Sequence, residues 1–157
     1  MLKMNLQYFA KKKNALRGHF VADYDPVSTT PPADTDYSEL AKWITDITDD
    51  TDETTDDTGD YSGDGTPATE VTAIAERWTF GGTWDAADEA QALIASKKRE
   101  LGLTRKVWHK IVQTDGDTYV GVATVTGIKA GSGAATDFEE FACVLNYDSI
   151  PAKQTTP

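Results

Sequence analysis

The chain has 157 residues, 39% of them hydrophobic, a formal net charge of -11 and an isoelectric point near 4.5. A single domain of this size has a radius of gyration of roughly 15 Å and buries about 70% of its unfolded surface, so a real core is within reach. The acidity excludes nucleic-acid binding through an overall basic surface, since neutralising phosphates takes clustered Lys and Arg.

The opening Met1–Lys13 has apolar positions interrupted by Asn5 and Gln7, and its basic run follows them instead of preceding them, so a secretory leader is not expected. No apolar run approaches the roughly 20 residues that span a bilayer. Residues 1–25 read as an N-terminal arm carrying Lys3, Lys11, Lys12, Lys13 and Arg17, whereas from Asp23 to Asp64 the only basic residue is Lys42. Such opposed charge invites pairing between neighbouring copies as well as within one chain. The proline-rich Asp25–Asp34 is turn or linker. Residues 26–150 read as one domain and 151–157 as a C-terminal tail.

Trp43 to Ile47 is expected to be a strand, because Trp, Ile and Thr suit a pleated surface. Asp46–Gly65 holds no Lys or Arg and is dense in Asp and Thr. Its carboxylates repel one another, so it is expected to be a long solvated loop between two strands, kept to present charge to a partner, a cation or a channel. The next strand is expected over Thr69–Phe80, ending at Gly81 and Gly82. A helix follows over Asp85–Leu101, capped by Asp85, with Asp88 and Glu89 in its first turn, Lys97, Lys98 and Arg99 in its last, and Gly102 as its stop. Ala86, Ala90, Leu93, Ile94 and Leu101 make its packing stripe, with Gln91 outward.

Arg105–Val112 and Tyr119–Thr126 form a hairpin whose Asp115-Gly116 turn supplies positive φ. A turn through Gly131, Ser132 and Gly133 leads to the last strand, Phe138–Tyr147. The fold class expected is mainly β: an antiparallel sandwich or small barrel of two sheets flanked by one helix.

No catalytic constellation stands out. His19 and His109 are the only histidines, and no nucleophile motif lies near either. Asp50, Asp52 and Asp57 have spacings that hard cations like, but the sixth position counted from Asp50 is Thr55 where an EF-hand requires glycine. Gly131–Gly133 lacks the lysine of a phosphate-binding loop. Carboxylate pairs for a hydrolase carry no signal in so acidic a chain. The sole cysteine, Cys143, excludes an intramolecular disulfide and reads as a core residue, and Trp43, Trp78, Trp84 and Trp108 read as packing or subunit anchors in preference to a sugar platform. No catalytic residue, cofactor or metal ligand is therefore assigned.

Two stretches carry a resemblance. Met4–Ala10 is similar to a start often seen on virion structural proteins of phages that infect Gram-positive bacteria. The ordered series Trp43–Ile47 (WITDI), Glu53–Asp57 (ETTDD), Ser62–Gly65 (SGDG), Glu70–Thr72 (EVT), Trp78–Asp85 (WTFGGTWD), Asp88–Gln91 (DEAQ) and Arg105–Trp108 (RKVW) resembles the tail tube (major tail) proteins of long non-contractile-tailed phages. That resemblance implies a non-enzymatic virion protein, assembled in the bacterial host cytoplasm as six-membered rings that stack into a hollow tube. A tape measure protein, a tail terminator and DNA sliding through the lumen are its implied partners, with no membrane. The implied contact is an inter-ring loop bearing Asp49, Asp50, Asp52, Glu53, Asp56, Asp57 and Asp60; the arm bearing Lys11, Lys12, Lys13 and Arg17 departs from the family's compact pattern and is expected, from its charge, to cover a neighbour. Asp137, Glu139 and Glu140 are candidates for the lumen wall. A capsid decoration protein or a host-surface carbohydrate-binding module is the alternative.

Overall fold

The computed structural model describes residues 11–155, so Met4–Ala10 lies outside the described residues. Ten strands and one helix occur in the order β1 (Gly18–Asp23), β2 (Ser38–Glu39), β3 (Ile44–Asp49), β4 (Asp52–Thr58), β5 (Ala68–Ala75), β6 (Arg77–Thr83), α1 (Glu89–Ser96), β7 (Lys106–Val112), β8 (Thr118–Ala130), β9 (Glu140–Tyr147) and β10 (Ala152–Gln154). Eight strands form one antiparallel sheet ordered β2-β1-β7-β8-β9-β6-β3, with β10 added alongside β8; β4 and β5 make a separate two-stranded sheet. The mainly β fold with one helix is as the sequence predicts.

The large sheet curls on its apolar face. Strand β9 shows why: Phe141, Cys143, Leu145 and Tyr147 point inward at every second position and are buried, the period-2 signature of a strand with one wet face. Trp78 and Phe80 of β6, Val107 and Ile111 of β7, and Ala123 and Val125 of β8 join them in one core. Curling brings β1 opposite β6 although three strands separate them in the sheet, so that His19 meets Trp78 and Phe80 with ring centroids 5.0 and 5.1 Å apart. Helix α1 closes the core with Ala90 and Ile94. The other face of β7 carries a smaller cluster of Ala22, Trp108 and Val120, with Tyr24 and Tyr37 against it.

Several sequence-based expectations change. Gly18–Asp23, drawn inside the arm, forms β1 and buries Val21 and Ala22. The strand expected over Thr69–Phe80 is two strands parted at Glu76, and the second runs through Gly81 and Gly82 to Thr83. Gly82 is there because the Trp43 carbonyl oxygen crowds it: a Cβ at this position would lie 2.1 Å from that oxygen. Trp43 itself has a φ of 62° and its carbonyl accepts from Thr83 N at 2.9 Å, a conformation that costs about 1 kcal/mol or more for a bulky residue.

The helix is shorter than expected. Asp88, not Asp85, caps it by accepting from Gln91 N at 3.0 Å, while Asp85 takes Ala87 N in the preceding turn and pairs with Lys42 at 3.0 Å. After Ser96 the chain leaves the helix, and Arg105 donates to the carbonyls of Lys97, Lys98 and Glu100, fastening the helix end to β8 through Val125 O. Gln91, expected outward, is fully buried; its amide donates to Lys42 O and Thr83 O and its oxygen accepts from Asp85 N. Ala86 and Leu101, expected in the packing stripe, are exposed. The hairpin of β7 and β8 holds as expected, with Gly116 at φ 97° in its turn. β10 falls in the segment read as a C-terminal tail.

Candidate functional site

The acidic segment is strand where the sequence predicts loop. Its first residues complete β3, and Asp52–Thr58 pairs with Ala68–Ala75 as a hairpin that projects from the body with every residue of both strands at least partly in solvent. Threonine explains the difference. Thr54, Thr55 and Thr58 have β-branched side chains that favour extended backbone, and in the open geometry of a projecting hairpin the carboxylates keep their water.

The base of the hairpin is tied to the body and its tip to itself. Arg77 pairs with Asp52, Thr79 donates to Asp50, and Asp50 N donates to Arg77 O at 2.9 Å. Asp49 accepts from Thr51 N at 3.0 Å. At the tip, hydrogen bonds from the Ser62 hydroxyl, Ser62 N and Gly63 N hold the Asp60 carboxyl below its usual range. Along the strands, Asp57 accepts from the Thr69 hydroxyl at 2.6 Å, whereas Asp56 sits directly opposite Glu70. Like charges directly opposed destabilise a strand pair. Glu53, Thr55 and Asp57 share a face with Ile74, Val71 and Thr69, and Val71 and Ile74 are 48% and 42% exposed. A two-stranded hairpin uncovered in water is marginal by itself. This one therefore has surface left to bury.

The large sheet offers two further surfaces. Its end strands, β3 and the two-residue β2, each have one side without a strand partner, and a free strand edge is a template for pairing with another chain. On the basic side, Lys11, Lys12 and Lys13 are exposed; Lys12 donates to Thr114 O at 2.6 Å and Arg17 to the Gln113 amide oxygen at 2.8 Å, so this segment lies along the turn between β7 and β8. Asp137 and Glu139 fall in the exposed turn before β9, and Glu140, the first residue of β9, pairs with Lys129 at 3.5 Å.

Burial pushes the Cys143 thiol up to about 12 and keeps it from acting as a thiolate. Among the described residues no group of three or more His, Cys, Asp and Glu is placed to hold a metal ion, and no helix is long and apolar enough to cross a membrane. Trp78 and Trp108 are buried, Trp84 stacks on Phe141, and Trp43, 57% exposed, donates to Asp85 at 3.2 Å. The sequence does not announce the pairing of His19 with His109, which are ninety residues apart and meet at 3.1 Å in the core.

No protein-family model matches this sequence, and no curated protein does at a significant level. Solved structures do. A chain from the tail of an empty gene transfer agent particle, refined helically with C6 symmetry, superposes with a TM-score of 0.65 at 11% identity, covering 94% of this chain and 100% of that one. The likeness is one of fold. A chain from the virion of the native gene transfer agent particle gives 0.62 at 11% identity over 92% and 100% of the two chains. A chain from the sheath-tube complex of an extracellular contractile injection system gives 0.50 at 16% identity over 88% of each.

Proposed function

We propose that this chain is a non-enzymatic structural protein of a phage-type virion, polymerising as stacked rings, six subunits each, into a tail tube through which DNA passes. The observation that carries the reading is the exposed hairpin of β4 and β5 next to the free edge of β3, on a fold that matches a chain from a particle tail over 94% of its length. Head-to-tail stacking is a heterologous contact that repeats until something terminates it. Lateral pairing of sheet edges closes a ring and removes exposed strands in the same step.

In this reading the hairpin crosses to the next ring and covers Val71 and Ile74, its carboxylates Glu53, Asp56, Asp57 and Asp60 meeting the neighbour's Lys11, Lys12 and Lys13. Asp49, Asp50 and Asp52 fix the hairpin's base. Asp137 and Glu139 give a lumen wall that repels phosphates and lets DNA slide, while Glu140 is already balanced by Lys129. A tape measure protein inside the tube and a terminator at its end complete the set of partners, and a phage of a Gram-positive host is the source proposed.

Negative-stain microscopy of the purified chain at rising concentration tests this. Hollow tubes of uniform width are the expected result, and discrete particles that bind glycans would overturn it in favour of a surface-binding module. Removing Asp52–Ala75 and joining Thr51 to Glu76 reseals the turn between β3 and β6, which pair as far as Asp49 and Trp78. That variant is expected to stay folded and to form no tubes; normal tubes would exclude the hairpin from stacking.

A further inference from the structure

Two neutral imidazoles face each other in the core, His19 Nδ1 to His109 Nε2 at 3.1 Å, with rings stacked at 17°. Between them they carry two N–H protons, of which one occupies the shared bond. The outer nitrogens, His19 Nε2 and His109 Nδ1, have no hydrogen-bond partner. Within the protein, one buried N–H and one buried lone pair therefore have no partner whichever tautomers form.

The surroundings offer little to a proton. Trp78 and Phe80 of β6 pack on His19, and Tyr147 of β9 stacks on His109 at 5.4 Å with its hydroxyl donating to His109 O at 3.4 Å. The charged and titratable groups around the pair are Arg17 before β1, Asp46, which lines a surface depression together with His19, Glu76 on the Trp78 indole, and Tyr37, whose charge is felt at Tyr147. Arg17 repels an added proton, and neither Glu76 nor Asp46 is hydrogen-bonded to either ring. Burial, with Arg17 behind it, lowers His19 to about 4; burial and His19 hold His109 well below the usual imidazole range.

Strand β1 is the part of the sheet this pair secures. In the sheet only β2 lies outside it, matched through Phe20 with Glu39 and Val21 with Ser38, while α1 packs on it and Lys97 pairs with Asp23 at its end. On its other side are the ladder to β7 and the imidazole contact.

We propose that the His19–His109 pair is an acid-sensitive latch, and that protons entering it release β1, together with the basic segment before it, while the body formed by β8, β9 and β6 stays folded. The depression lined by Arg17, Ile44, Asp46 and Ile47 gives water a path to His19. Opening exposes imidazoles that then titrate near 6.5, so each one uncovered multiplies the open population about 20-fold between pH 7 and pH 5. Above pH 6.5 the latch is fully closed, and its hold weakens progressively as pH falls toward 4.

Hydrogen exchange of the full chain, normalised to intrinsic rates at each pH, reads this by peptide. Residues 18–23 are expected to lose protection about 20-fold or more between pH 7 and pH 5 while β8 and β9 change little, and the double variant His19→Phe/His109→Phe is expected to abolish that selective loss. Uniform loss across the chain, no loss in β1, or the same loss in the double variant would overturn the latch. Should the double variant not fold, imidazole titration of the wild-type chain by NMR decides: ordinary titration near 6.5 with β1 still protected refutes it, and silence until β1 opens supports it.

Discussion

Strand β9 and the hairpin of β4 and β5 are both about eight residues long and antiparallel, and almost everything else about them differs. In β9 every second side chain is buried, and hydrogen-bonded strands lie on both sides. In the hairpin all fifteen residues are exposed and like charges stand opposite one another. The first is held by its own chain. The second has its pairing completed internally and its surface left unsatisfied, which under the proposed function would separate the part that folds from the part that joins.

The largest test of that division is in the core. Phe141→Ala, with the side chain fully buried, is expected to cost about 3–5 kcal/mol by denaturant unfolding, whereas Thr55→Ala on the hairpin is expected to stay within about 0.5 kcal/mol. Next, Gly82→Ala forces apart the Trp43 carbonyl and β6 and is expected to cost about 1–3 kcal/mol in the same measurement. Arg77→Ala, which frees Asp52 at the hairpin's base, is expected to cost about 0.2–1 kcal/mol and to appear mainly as faster amide exchange in β4 and β5. Comparable in size and opposite in sign is Glu70→Lys, which turns the opposition to Asp56 into an attractive pair worth roughly 0.2–1 kcal/mol. Equal losses for Phe141→Ala and Thr55→Ala would erase the distinction between body and hairpin.

Runs of β-branched and aromatic residues, with the Asp115-Gly116 turn between the first two, made β7, β8 and β9 legible. The cap of α1 was misplaced since Asp85 and Asp88 both suit a helix start, and only the contacts of Asp85 with Lys42 and Trp43 tell them apart. Gln91 looked like a surface residue because its burial depends on backbone groups outside the helix, those of Thr83 and Asp85 just before it and of Lys42 from a distant segment. β4 was hidden by its charge, which masks the extended preference of its threonines. β1 was hidden by its mixture of Gly18, His19 and Ala22, and the imidazole pair by a separation that no local pattern spans. The hairpin's carboxylates were readable as charge but not as geometry, since the register sets which of them share a face with Val71 and Ile74.

Cys143 has a consequence for watching the protein at work. As the chain's sole sulfhydryl, enclosed between β6 and β8 on β9, it stays silent toward alkylating reagents until the body opens, and its modification rate becomes a built-in clock for that event. A fluorophore attached through Tyr61→Cys, at a fully exposed position in the hairpin tip, would then report the hairpin alone, with no need to remove the native thiol.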